Sequence, residues 1–274
     1  MSKFYELSHI LDAFSTLKKE KGIEKILKSV KNKIFGDHIN SENIEEFKEF
    51  VRDFNSLYYL MKKKFENKYR TSGERYFEHL REVVNQVLKL PNPNTNKVLI
   101  AIAHDSIEDT NKTFEGLNED YGYHVALAVQ AISKEKWQDY TDENIDNDDE
   151  KEKDAKEKRN KKYFSHLKSF KTMSKHIISI AKNKGIKLTK KELEEITRDA
   201  LDVKFADRIH NLSTQWDPTD LEQVRKKVEE TKIYFLEISK ETNIESYHII
   251  KALILNLEIQ IFNTQGKVEK VVKK

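Results

Sequence analysis

The densest chemistry in the chain lies in ten residues, Ala101-Ile102-Ala103-His104-Asp105-Ser106-Ile107-Glu108-Asp109-Thr110. Small and apolar residues come first. An imidazole, His104, and three carboxylates, Asp105, Glu108 and Asp109, then fall within six positions. In a helix, His104 and Glu108 would share one face, as would Asp105 and Asp109. Carboxylates set among residues of the buried type are costly to desolvate unless a cation neutralises them. One imidazole beside carboxylates suits a borderline divalent metal that takes nitrogen and oxygen ligands. The chain has no cysteine, which excludes thiolate zinc sites and iron–sulfur clusters. Taken alone, a His-Asp pair also describes a solvated helix end, so both readings stand at this point.

A second stretch runs from Ala200 to Thr214. Asp207, Asn211 and Thr214 stand at i, i+4 and i+7 and share a helical face. Leu201, Phe205 and Leu212 supply a core face for the same helix. A polar stripe of Asp, Asn and Thr suits one metal ligand followed by substrate contacts. A third stretch, Tyr69 to His79, carries the turn signal Ser72-Gly73 and then His79 in the first turns of a helix. A lone His there is more often structural, and Arg70 before the turn reads as a solvated charge.

The elements that must position these residues all read as helices. Phe47, Val51, Phe54, Tyr58 and Met61 recur at helical spacing, with Ser41 as the expected N-cap. Val83, Val84, Val87 and Leu88 follow His79, and Pro91-Asn92-Pro93-Asn94 stops that helix. Thr95 or Asn96 can cap the next one, which runs into the central stretch. Phe114 to Tyr121 is a short helix, Gly122 a break, and Val125 to Ile132 a further helix. Residues 137–162 are almost all charge and amide, and the expectation is a solvated loop. A lid that brings Lys158, Lys161 or Lys162 to a phosphate is the alternative. Amphipathic helix resumes from Phe164 to Ala181. Thr189 with Glu192 forms a candidate capping box, and Trp216-Asp217-Pro218 ends the helix that carries Asp207. The last helix is expected from Ile244 to Phe262, followed by a frayed Lys-rich tail.

The remaining bounds are broad. The 274 residues suffice for one large domain or two small ones. Seven glycines and three prolines argue against a turn-rich all-β fold. Charged residues make up 35% of the chain and nearly balance at +3, which gives no strong field for DNA or a membrane surface. No apolar run is long enough for a membrane helix. The start lacks the pattern of a secretory signal, and zero cysteines fits a reducing compartment, so the expected location is cytoplasmic.

Placed together, these motifs resemble the HD-type metal-dependent phosphohydrolases, and more narrowly the alarmone hydrolase domain of the RelA/SpoT family. The family pattern is an Arg, Ser-Gly-Glu-x-Tyr and a His, then His-Asp-x-x-Glu-Asp-Thr, then Lys-x-Ala-Asp-Arg-x-x-Asn. Here these are Arg70, Ser72-Gly73-Glu74-Arg75-Tyr76, His79, His104 to Thr110, and Lys204 to Asn211. The resemblance covers about residues 65–235. It implies an all-α fold, an HD-domain helical bundle with additional N- and C-terminal helices. The corresponding division is 1–64 as an N-terminal helical extension, 65–236 as the hydrolase domain with the charged insertion at about 137–162, and 237–274 as a C-terminal helix and tail.

The resemblance also implies roles. His79, His104, Asp105 and Asp207 would bind one divalent metal, with manganese usual in the family. Glu108 and Asp109 would be the catalytic carboxylates that orient or deprotonate the attacking water. Arg70 would lie along the base, Ser72, Asn211 and Thr214 would contact the nucleotide, and Arg225 would reach the phosphates. The implied reaction removes the 3′-pyrophosphate of guanosine tetra- or pentaphosphate, (p)ppGpp, the alarmone of the stringent response. A bound metal lowers the pKa of water, and an adjacent carboxylate can take its proton. Leu80 stands where the family has Pro, and Thr71 where it has a basic residue. Nothing after Phe235 resembles a synthetase domain. An HD phosphohydrolase with another nucleotide or a pyrophosphorylated RNA end as target, and a non-catalytic nucleotide sensor, are the competing readings. The partner implied is a guanosine nucleotide, with self-association possible.

Overall fold

The computed structural model describes residues 21–36, 43–70, 73–142, 145 and 147–272, and among these every regular element is a helix. Helix α1 (Lys21–Val30) runs into a π-helical turn that ends at Gly36, whose φ of +74° breaks the helix where a glycine permits it. Helix α2 (Ile44–Lys64) buries Phe47, Val51, Phe54, Tyr58 and Met61, the expected stripe. The expected cap, Ser41, lies outside the described residues. Helix α3 (Tyr76–Val87) follows a tight turn, and α4 (Thr95–Ala103) carries the small and apolar residues ahead of His104. Asn94, rather than Thr95 or Asn96, caps α4: its side chain accepts from Lys97 N at 2.7 Å. A single turn, α5 (Ser106–Asp109), holds Glu108 and Asp109.

Helix α6 (Phe114–Ile132) kinks at Gly122, where φ is +82°, as the glycine predicts. After a 3₁₀ turn at Trp137–Tyr140 comes α7 (Asp148–His166). The expected solvated loop is therefore in large part a helix. Asn147 caps it, Asp148, Asp149 and Glu150 occupy the first turn, and Glu152–Lys156 and Asp154–Lys158 pair at i, i+4. Caps and pairs of that kind support a helix with little apolar surface. Its one buried residue in the charged half is Ala155, and its last turn enters the core through Tyr163 and Phe164. Lys158 pairs with Asp142 and Asp154, and Lys162 with Glu135.

The amphipathic stretch expected from Phe164 breaks at Leu167–Ser169. Helix α8 (Phe170–Asn183) starts anew behind a capping box made by Ser169 and Thr172. Helix α9 (Lys190–Ser213) opens on the expected Thr189–Glu192 box. Where Thr219 to Ser239 reads as one helix, two form, α10 (Leu221–Tyr234) and α11 (Leu236–Thr242), and α12 runs Ile244–Val272, beyond the expected Phe262. No helix among the described residues is long and apolar enough to cross a membrane.

Helix α9 is the axis of the bundle. It packs against α3, α4, α6, α8 and α12 and is buried almost all round from Ile196 to Leu212. A helix in that position must bury its charges, and each has a partner. Lys97 meets Asp202 at 2.7 Å, Asp199 meets His124 at 2.9 Å, and Arg208 meets Glu230 at 2.8 Å. The same core takes in residues of α1 and α2, so the N-terminal helices share the hydrophobic interior of the rest.

At the α7–α8 junction, His166 and His176 stack with centroids 3.8 Å apart and planes 6° from parallel. Burial, His166 and Lys162 push His176 down to about 4 from its ordinary 6.5, and burial lowers His166 also. The unfolded chain takes up protons near 6.5, where folded His176 remains neutral. Stability from this pair is thus complete above about pH 6.5 and falls as pH drops toward 4. His176→Phe keeps a flat ring without the titration. Its melting temperature should fall less between pH 7.5 and 5 than that of the unchanged protein. An equal fall in both would remove the pair from the acid response.

Candidate functional site

Four side chains from three parts of the chain converge. His79 stands one turn into α3, His104 ends α4, Asp105 follows it, and Asp207 lies on the buried length of α9. His104 Nε2 is 2.9 Å from Asp105 Oδ2 and 3.9 Å from Asp207 Oδ1. His79 Nε2 is 3.3 Å from Asp207 Oδ1 and 3.7 Å from Asp105 Oδ2. Ligand atoms of His79, His104 and Asp105 all lie within 4.8 Å of one another, close enough for one ion. The helix breaks at His104–Asp105, so the His and its neighbouring carboxylate turn to the same centre instead of following helical spacing.

The donor set fits a borderline divalent cation. His104 Nδ1 lies 2.8 Å from the Ala101 carbonyl and donates to it, which leaves the Nε2 lone pair free. That Nε2 is buried and has no hydrogen-bond partner, although Asp105 lies beside it. An orphaned buried nitrogen aimed at two carboxylates is what a metal ligand looks like before the metal is counted. Burial alone would lower the His104 pKa, but Asp105 and then Asp207 outweigh it and hold it up at about 9. A cation at this centre would take the place of that proton.

Surrounding groups orient the four. Tyr76 donates from its hydroxyl to Asp105 Oδ2 at 2.8 Å. Lys204 Nζ donates to Asp207 Oδ2 at 2.9 Å, and Asn211 Nδ2 to Asp207 Oδ1 at 2.6 Å. Burial opposes charge on both Lys204 and Asp207, but each is the other's strongest stabiliser. Lys204 is held well above its ordinary value and Asp207 well below. His79 Nδ1 faces His210 Nδ1 at 2.8 Å, and Arg70 Nη1 lies 3.2 Å from the same His210 nitrogen. His210 accepts from both, consistent with a pKa pushed down to about 4 by burial, His79 and Arg70.

Glu108 and Asp109 lie one turn beyond the cluster. Lys134 donates its backbone N–H to Glu108 Oε2 at 3.1 Å, and its ammonium is 3.8 Å from Oε1. Lys68 donates to the Asp109 carbonyl and sits 3.8 Å from Asp109 Oδ1. Burial and the charge of Asp105 raise the Asp109 carboxyl above its ordinary value. A fixed carboxylate and a second carboxyl with raised pKa are suited to orienting a water and moving a proton.

The expected substrate residues divide. The turn Arg70–Glu74 closes through Gly73, with φ of +81°, and Gly73 N donates to Arg70 O at 2.9 Å. It aims Arg70 inward, where Nη2 donates to Asn211 Oδ1 at 2.6 Å. Arg70 and Asn211 are thus brought together at the rim of the cluster. Thr214 caps α9 and bonds the His210 carbonyl at 3.0 Å. Ser72 lies outside the described residues. Arg225 lines a groove between α10 and α12 with Val228, Glu229 and Phe262, and that groove contains none of the cluster residues. Sequence reasoning gave no role to Tyr76, Lys134 or His210 as supports of the site, although Tyr76 and His210 stand inside the quoted motifs; Lys134 carried no signal.

An all-helical HD-like bundle that gathers two His and an Asp beside paired carboxylates is the class that fold and site define. The chain is similar to the guanosine-3′,5′-bis(diphosphate) 3′-pyrophosphohydrolase of Haemophilus influenzae, 39% identical over 69 residues, which is 25% of this chain and 10% of the relative. It is similar to the Aquifex aeolicus protein of the same name, 26% identical over 91 residues, covering 33% and 13%. It also matches the GTP pyrophosphokinase rsh of Brucella melitensis, 29% identical over 97 residues, covering 35% and 13%. No family model matches the chain. The matches span 10% to 13% of these curated relatives' length, and over that part they support a RelA/SpoT-family hydrolase domain.

Proposed function

We propose that this protein is a metal-dependent hydrolase that removes the 3′-pyrophosphate of (p)ppGpp, giving GDP or GTP and pyrophosphate. The observation that carries the reading is the convergence of His79, His104, Asp105 and Asp207 around the unpartnered His104 Nε2. Those four residues would hold one divalent cation, manganese in this reading. The ion would supply electrophilic stabilisation of a phosphoryl oxygen and make water more acidic.

The chain's own residues do the rest. Lys134 fixes Glu108, which orients the water for attack on the phosphorus bonded to O3′. Asp109, with its raised carboxyl, accepts and passes on the proton. The new P–O bond forms as the O3′–P bond breaks, and the 3′-oxygen leaves as a hydroxyl. Asn211 and Arg70, already joined, make one side of the nucleotide site. Lys204 neutralises Asp207, so the cation's charge remains available to the phosphates.

The test is pyrophosphate release with and without manganese across ppGpp, pppGpp, other nucleoside polyphosphates and a 5′-pyrophosphorylated RNA. Metal-dependent release from ppGpp and pppGpp, abolished by a chelator, is the expected result. Release from another member of the panel alone would reassign the substrate. Binding of ppGpp with no turnover of anything would make the protein a sensor.

A further inference from the structure

One buried aromatic ring lies under two of the lysines that hold the candidate site. Tyr163, in the last turn of α7, is 6% exposed, and its hydroxyl donates to the Ile132 carbonyl at 3.0 Å. The Lys204 ammonium lies over its ring, 5.7 Å from the centroid, and the Lys134 ammonium lies over it at 5.5 Å. Lys204 is the lysine that donates to Asp207, and Lys134 the one that holds Glu108. A buried ammonium has three donors and a flexible four-carbon stem. An aromatic face offers it negative potential where water is excluded, and so fixes which way it points.

We propose that Tyr163 is a positioning residue of the site, its ring fixing the Lys204 and Lys134 ammonium groups that set the orientation of Asp207 and Glu108. The inference rests on the metal-hydrolase reading. It gives the charged segment a structural purpose, because its helix ends on the side chain that meets both lysines. The next residue, Phe164, turns elsewhere: it stacks on Tyr234 at 4.1 Å and meets Phe235 at 6.3 Å. Phe164 therefore serves as a control on the same turn, equally buried, whose ring packs on Tyr234 and Phe235 while the two lysines lie over Tyr163.

The experiment is calorimetric titration of metal-free protein with manganese, with thermal melts and turnover of ppGpp alongside. Tyr163→Leu should weaken manganese binding about tenfold, the scale at which groups that orient metal ligands act. It should also lower kcat with KM unchanged. Tyr163→Phe loses the hydroxyl, with its bond to Ile132 and its polar contact with Lys204, and should keep manganese affinity within about twofold, because the ring face remains. Phe164→Leu should lower the melting temperature as Tyr163→Leu does and leave manganese affinity unchanged. Lys204→Met should weaken binding, and adding Tyr163→Leu to it should cost little more, since the ring acts on Asp207 through that lysine. Wild-type affinity in Tyr163→Leu would overturn the proposal. So would an equal loss in Phe164→Leu or in Tyr163→Phe. If this affinity order holds but the wild type turns over no nucleotide, the positioning of Asp207 stands and the hydrolase reading fails. A wild type that binds no manganese removes both.

Discussion

His104→Ala will abolish metal binding and, with it, hydrolysis. The imidazole contributes a buried nitrogen whose lone pair has no other partner, and its tautomer is fixed by the Ala101 carbonyl. Changes to groups that merely orient metal ligands cost about 10- to 100-fold in affinity, so loss of a ligand should exceed about 100-fold. The same holds for His79→Ala and Asp207→Ala, although Asp207 lies far along the chain. Manganese at 1,000 times its dissociation constant stabilises a native site by about 4 kcal/mol. For a chain of this size that is on the order of 10 °C in melting temperature. The wild type should show such a rise with manganese and the three variants should not.

Their metal-free melts should differ from one another. Asp207→Ala strands the Lys204 ammonium, which is buried and has Asp207 as its carboxylate partner, at a cost of about 3–5 kcal/mol. His104→Ala removes the cation beside Asp105, but that carboxylate keeps the Tyr76 hydroxyl as donor, so this variant should be the more stable of the two without metal. Manganese bound at unchanged stoichiometry in all three variants would dismantle the proposed centre.

Glu108→Gln and Asp109→Asn should do the reverse, keeping manganese and nucleotide while losing turnover by about 10²- to 10⁴-fold, the range for a positioned acid or base. Glutamine still offers an oxygen to the Lys134 N–H, so the local turn should persist, but the negative charge is gone. Asparagine at 109 has the shape of the carboxyl without a site for the transferred proton. Neither side chain is among the four that converge on His104 Nε2, which is why metal affinity should survive. Near-normal turnover in both variants would move the chemistry to other groups. Calorimetry and single-turnover assays on the same preparations separate the two effects.

Much of this was legible in the sequence because it is local. The helix stripe of α2, the Gly122 kink and the Thr189–Glu192 box depend on residues within a turn or two of each other. The charged run at 137–162 was misread because low hydrophobicity argues against a core. It does not argue against a helix carried by an acidic first turn and i, i+4 pairs, and docked by Tyr163 and Phe164 at its end. Likewise, no short-range signal separates Asn94 from its neighbours as the cap of α4.

By itself the sequence determined that the chain is helical and singled out His79, His104, Asp105, Glu108, Asp109 and Asp207 as the candidates for its chemistry. Residue type, order and motif spacing suffice for that. Only the tertiary structure decided what surrounds them. Lys204 and Lys134 are 70 residues apart, and Tyr163 lies between them, directly after the run at 137–162 that reads as solvent-exposed. Arg70, from the motif, and Arg225, from the helix after it, both read as substrate contacts in sequence, but α10 turns Arg225 into a separate groove, and the Gly73 turn ties Arg70 to Asn211. The physical reason is burial. Once α9 becomes the axis, each charge on it must find a partner from another helix, and the choice of partner depends on packing across the bundle.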